Sequence, residues 1–105
     1  MAWGVLFLAG IFEIGWAVGL KYTDGLSRLM PAIWTGIAMA ASVALLGVAL
    51  KDLPLGNAYA VWTGIGAIGT AAAGIVLFGE AVTVSRLLSI GLIVAGIVGL
   101  RFAPS

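Results

Sequence analysis

The chain has no cysteine and no histidine among its 105 residues. Disulfides and thiolate metal sites are excluded, and so are the commonest metal ligand and the side chain that most often carries protons near neutral pH. Charge is almost as scarce. Charged residues make up 9% of the sequence, where a soluble domain carries about 25%. With a formal net charge of +1 and no basic cluster, nucleic-acid binding is excluded too. What fills the chain instead is 63% hydrophobic residues, at a mean hydropathy of +1.23. A soluble domain of that composition could not solvate its surface, so the chain reads as an integral membrane protein.

The few charges divide the sequence into apolar spans of about 3–20, 30–50, 56–78 and 84–102. Lys21-Tyr22-Thr23-Asp24-Gly25 forms a polar stop ending in glycine. Pro31 suits the first turn of the second span. Lys51-Asp52-Leu53-Pro54 and Gly79-Glu80 mark the later turns, while Arg86 and Arg101 flank the last span, where their long stems let them snorkel. About 20 apolar residues cross ~30 Å of hydrocarbon, so four spans use nearly the whole chain. The expectation is an all-α integral membrane protein: one four-helix transmembrane domain over residues 1–105, with short loops that make successive helices antiparallel neighbours. The N-terminus lacks a basic n-region and a small-x-small cleavage site, so the first span is expected to remain as a helix. No internal repeat is visible.

Orientation is weakly specified. Lys51 and Arg101 fall on one side of the membrane and Lys21, Arg28 and Arg86 on the other, a negligible bias. Either one topology is set by finer details, or the chain inserts both ways and two copies pair head-to-tail. The second arrangement would supply by symmetry the inverted repeat that transporters commonly use.

Glu13, in the middle of the first span, is the only acidic residue outside the loops. A charge at that depth costs at least ~3 kcal/mol on insertion scales, so it reads as a group that carries a proton or meets a cation. At about 100° per residue it shares a face with Leu6, Ala9, Gly10, Trp16, Ala17 and Leu20. The small residues one turn to either side allow a backbone or ligand to come close. In the third span Tyr59 and Trp62 share a face, either as an interfacial aromatic belt or as a site wall. Gly64 and Gly66 make that helix the place to flex. Ser42, with Met39 on its flank, either back-bonds to its own helix or hydrogen-bonds Glu13. Gly91, Ala95 and Gly99 form a small-residue stripe assigned to dimerisation. Asp24, Lys51, Asp52 and Glu80 read as solvated loop charges, and Trp3 and Trp34 as headgroup anchors.

Gly10-Ile11-Phe12-Glu13 with Trp16, Leu20-Lys21-Tyr22 with Gly25, and Tyr59-Ala60-Val61-Trp62-Thr63-Gly64-Ile65-Gly66 together resemble the small multidrug resistance family over essentially the whole chain. Trp16, three residues after the glutamate, and the following Leu20-Lys21-Tyr22 are similar to its guanidinium-exporter subtype. The resemblance implies an antiparallel, dual-topology homodimer in the bacterial inner membrane. It further implies exchange of protons for guanidinium or small substituted guanidines by alternating access, without cofactor or metal. Glu13 of both subunits would bind either protons or substrate, with Trp16, Ser42, Tyr59 and Trp62 lining the site. Gly10 and Met39 are candidates for secondary lining or a portal. Two other readings stay open: export of quaternary ammonium or other drug cations on the same fold, and a non-transporting accessory subunit in which Glu13 glues helices together. Without a nucleophile–base pair or a metal cluster, no catalytic residue is assigned and the chain is not read as an enzyme.

Overall fold

The computed structural model describes residues 2–102. Among them are four helices: α1 (Ala2–Tyr22), α2 (Leu29–Ala49), α3 (Leu55–Phe78) and α4 (Val84–Phe102). Each is long and apolar enough to cross a membrane. Their ends follow local chemistry. After α1, Asp24, Gly25 and Leu26 all take positive φ, at 48°, 70° and 69°. Only glycine adopts that region without strain, and buried Thr23 holds the other two there. Its hydroxyl donates to the Leu20 carbonyl at 2.7 Å and accepts the Leu26 N–H at 3.0 Å. The stop read at Gly25 is therefore a three-residue left-handed turn pinned by a threonine.

Pro54 precedes α3 in extended conformation, and Gly79 ends it at φ 65°. The N–H groups of Gly79 and Glu80 both turn back onto the Gly74 carbonyl. Thr83 caps α4: its hydroxyl accepts the Arg86 N–H at 3.0 Å.

The helix in the middle of the fold is α1, flanked by α2 and α3; α4 packs on α3 alone among the described residues, and α2 and α3 touch only briefly. Buried Leu6 and Ala9 of α1, Leu46 and Ala49 of α2, and Ala58 and Val61 of α3 form the core at one end. The result is a slab of 43 × 35 × 17 Å, thinner than two helices of ~10–12 Å each. α4 buries none of its residues. It leans on α3 where Gly64 leaves room for Ile97 and Ile93.

Candidate functional site

Glu13 turns from the middle of α1 toward α3 and lays its carboxyl group on Gly66. A Cβ at position 66 would overlap Oε1 and the carboxyl carbon and stand 2.8 Å from Cγ. Only hydrogen fits there, and this lets α3 approach the acid so closely. Glu13 Oε1 is buried with no hydrogen-bond partner among the described residues. One turn further along α1, Trp16 Nε1 is buried and unpartnered as well. An unsatisfied acceptor and an unsatisfied donor thus sit on one face, an arrangement that native interiors rarely leave unexplained.

Ser42 takes neither of the two arrangements open to it in the sequence. Its hydroxyl donates to the Ala9 carbonyl of α1 at 2.7 Å and accepts the Trp62 indole N–H of α3 at 2.8 Å. In an α-helix the Ala9 carbonyl also accepts the N–H of Glu13, four residues on. Ser42 therefore fastens α2 and α3 to the turn of α1 that carries the acid. A hydroxyl can both donate and accept, so the buried bonds form a continuous chain from Trp62 to Ala9.

Trp62 is only 8% exposed and lies between helices, not in an interfacial belt. Its ring tilts at 59° against Tyr59, with centroids 5.5 Å apart, and Tyr59 is 53% exposed at the rim. The structure thus brings Ser42 and Trp62 into direct contact and adds Tyr59 at the edge. Gly10 packs against Ile65, where a Cβ would stand 2.6 Å from Cγ2, so it sets the α1–α3 spacing. Met39 is exposed on α2. Gly64 and Gly66 face opposite ways, toward α4 and α1, and α3 runs unbroken through both. Gly91, Ala95 and Gly99 are exposed on α4, and a Cβ at either glycine would meet nothing within 4 Å.

Two features escaped sequence reasoning. The seat of Glu13 on Gly66 was signalled only by the four-residue spacing of Gly66, Thr70 and Gly74. Glu80 is also not a freely solvated loop charge. It pairs with Arg86 at 2.5 Å and rests on Gly74, because that glycine has no side chain to hold it off. Nearby, Lys21 Nζ lies 5.6 Å from the Phe78 ring centroid, and the Tyr22 and Phe78 rings pack at 5.3 Å.

A family model described as Small Multidrug Resistance protein matches residues 1–93. The chain belongs to the small multidrug resistance family. A relative named guanidinium exporter from Yersinia pseudotuberculosis is 62% identical over 103 residues, covering 98% of this chain and 99% of its own. Proteins of the same name from Salmonella typhimurium strain LT2 and Citrobacter freundii are 59% and 57% identical, each covering 98% of both chains. With its four apolar helices, this family member is a multi-pass inner-membrane protein.

Proposed function

We propose that two copies of this chain, inserted in opposite orientations, form a proton-coupled antiporter that exports guanidinium and small substituted guanidines by alternating access. The observation that carries this reading is the mid-helix Glu13 carboxyl group, which is seated against Gly66 with a buried, unpartnered oxygen. Relatives named as guanidinium exporters, 57–62% identical over nearly the whole chain, support the choice of cargo.

Guanidinium is planar and carries N–H donors on every edge, so one carboxylate accepts two parallel bonds from it. Aromatic faces add about 0.5–2 kcal/mol of cation–π attraction. Glu13 supplies the charge, Trp16 a free indole donor that braces the second oxygen, and Trp62 and Tyr59 the aromatic wall. Ser42 keeps the Glu13-bearing turn in place. A proton and a guanidinium ion neutralise the same charge, and a protonated acid no longer presents the acceptor pair. The two ligands therefore displace one another, and exchange follows when the helices switch sides only with the acid neutralised.

The monomer is 17 Å thick in its shortest dimension, too thin to enclose a site at the bilayer midplane. A second, inverted copy closes it, with the whole of residues 1–105 acting as one transmembrane unit. Gly91, Ala95 and Gly99 on the exposed face of α4 provide a stripe for close helix pairing. Two Glu13 carboxyls facing one site titrate as a coupled pair and release up to two protons per cation. Gly64 and Gly66 are the proposed points of flexing in α3 during the switch.

Reconstituted Glu13→Gln tests the reading. The variant keeps the side-chain shape but cannot titrate, and guanidinium uptake driven by a proton gradient is expected to vanish. Retained proton-coupled uptake overturns the assignment. A second reading, export of quaternary ammonium or drug cations, is favoured by Met39, a flexible apolar side chain exposed on α2. Those cations lack N–H donors, so tetrapropylammonium transport matching that of guanidinium would select it.

A further inference from the structure

The seam between α1 and α3 continues past the Glu13 site to a second polar cluster. Glu13, Ala17 and Lys21 recur every four residues along α1, and Gly66, Thr70 and Gly74 do the same along α3. Beyond Gly66 the seam widens into a cavity of about 190 Å³, walled by Ala17, Thr70, Gly74 and Phe78 and bordered by Lys21 and Glu80. Thr70 Oγ1 is buried there with no partner among the described residues. The Glu80 carboxylate leans on Gly74 at the mouth. Arg86 Nη2 donates to Glu80 Oε1 at 2.5 Å, and Arg86 Nη1 donates to the Ala81 carbonyl at 3.3 Å.

Resting on the guanidinium reading above, we infer that Glu80 is a second, peripheral acceptor for guanidinium, occupied in the resting protein by the guanidinium head of Arg86 and exchanged for the cargo during transfer to or from Glu13. The cargo and the Arg86 head are the same functional group, so whatever geometry satisfies one satisfies the other. The pair is exposed, with side chains 31% and 44% accessible, and such pairs exchange readily. Gly74 and Gly66 are eight residues apart on α3, about 12 Å at 1.5 Å per residue. The Thr70 hydroxyl lies midway, ready to accept an N–H from a passing cation. The Lys21 ammonium at the border keeps the cavity from holding a cation tightly, which suits a relay and not a trap.

The test uses the full chain in proteoliposomes, with guanidinium as the probe, comparing the parent protein, Glu80→Gln, Arg86→Gln and the double variant. Equilibrium binding at Glu13 is followed in parallel by tryptophan fluorescence. Glu80→Gln is expected to raise the half-saturating guanidinium concentration for transport by about fivefold, with equilibrium binding unchanged. Arg86→Gln is expected to lower it by freeing Glu80, and the double variant to match Glu80→Gln. Shifts in the same direction for both single variants would make the pair a structural strap and overturn the relay. No shift, or loss of equilibrium binding in Glu80→Gln, would overturn it equally. If the parent protein moves no guanidinium, the proposed function falls and the relay with it. If the parent transports and Glu80→Gln matches it, only the relay falls.

Discussion

Gly66→Ala places one methyl group where the Glu13 carboxyl group now rests. The new Cβ would overlap Oε1 and the carboxyl carbon and stand 2.8 Å from Cγ, where carbon atoms normally keep about 3.5–4 Å apart. The acid must leave its seat, because the methyl group is fixed to a helix backbone and cannot move aside. Overpacking of this kind costs about 1–3 kcal/mol, equivalent to about a 5- to 150-fold loss of guanidinium affinity at ~1.4 kcal/mol per decade. Helix propensity works in the opposite direction, favouring alanine over glycine by about 1 kcal/mol. The expected signature is therefore weakened binding with little loss of thermal stability. Gly47→Ala is the control, since a Cβ there meets nothing within 4 Å. Gly64→Ala is intermediate, because it meets the movable end of Ile97 at 2.9 Å. Guanidinium titration by tryptophan fluorescence, with a melting curve on the same sample, reads both quantities. Parent-like affinity in a folded Gly66→Ala protein would refute the seating of Glu13 on α3.

Ser42→Ala removes the acceptor of the Trp62 N–H and the donor to the Ala9 carbonyl. Leaving a buried donor unpaired costs about 1–3 kcal/mol, so the melting temperature should fall, and an unchanged melting curve would contradict the three-helix link. Guanidinium affinity should drop as pH falls, because protons occupy the same carboxylates. Its slope should approach about tenfold per pH unit for each proton displaced, and a flat profile would argue against shared occupancy. Ala95→Leu with Gly99→Leu disturbs no packing within the chain, since both positions are exposed. If the α4 stripe pairs two copies, cross-linked dimer should decline while the helical circular dichroism signal stays constant. Undiminished dimer would remove α4 from the interface.

The helices were legible because membrane spans write themselves in one dimension. Charges at Lys21, Lys51 and Glu80 interrupt apolar runs, and the four helices follow those interruptions. Glu13 was equally visible, as an isolated acid in a setting that penalises it. Its surroundings were harder to read. Ser42 reaches a backbone carbonyl 33 residues away, and a carbonyl acceptor exists at every position, so no residue type announces it. Gly66 was identified as a point of flexibility because glycine weakens a helix. Its position opposite Glu13 depends on how α1 and α3 are rotated about their axes, which a pattern of uniformly apolar helices leaves open. Glu80 looked solvated for a related reason. Its docking requires Gly74 on the preceding helix and Arg86 on the following one, and each alone is unremarkable.

Proton release on guanidinium binding tests the central claim most directly. Guanidinium is added to weakly buffered, detergent-solubilised protein while the pH is recorded, first with the parent chain and then with Glu13→Gln. The account predicts that the parent acidifies the solution, saturating in step with cation binding, and that Glu13→Gln releases nothing. Guanidinium bound at full occupancy by the parent with no proton released would contradict it.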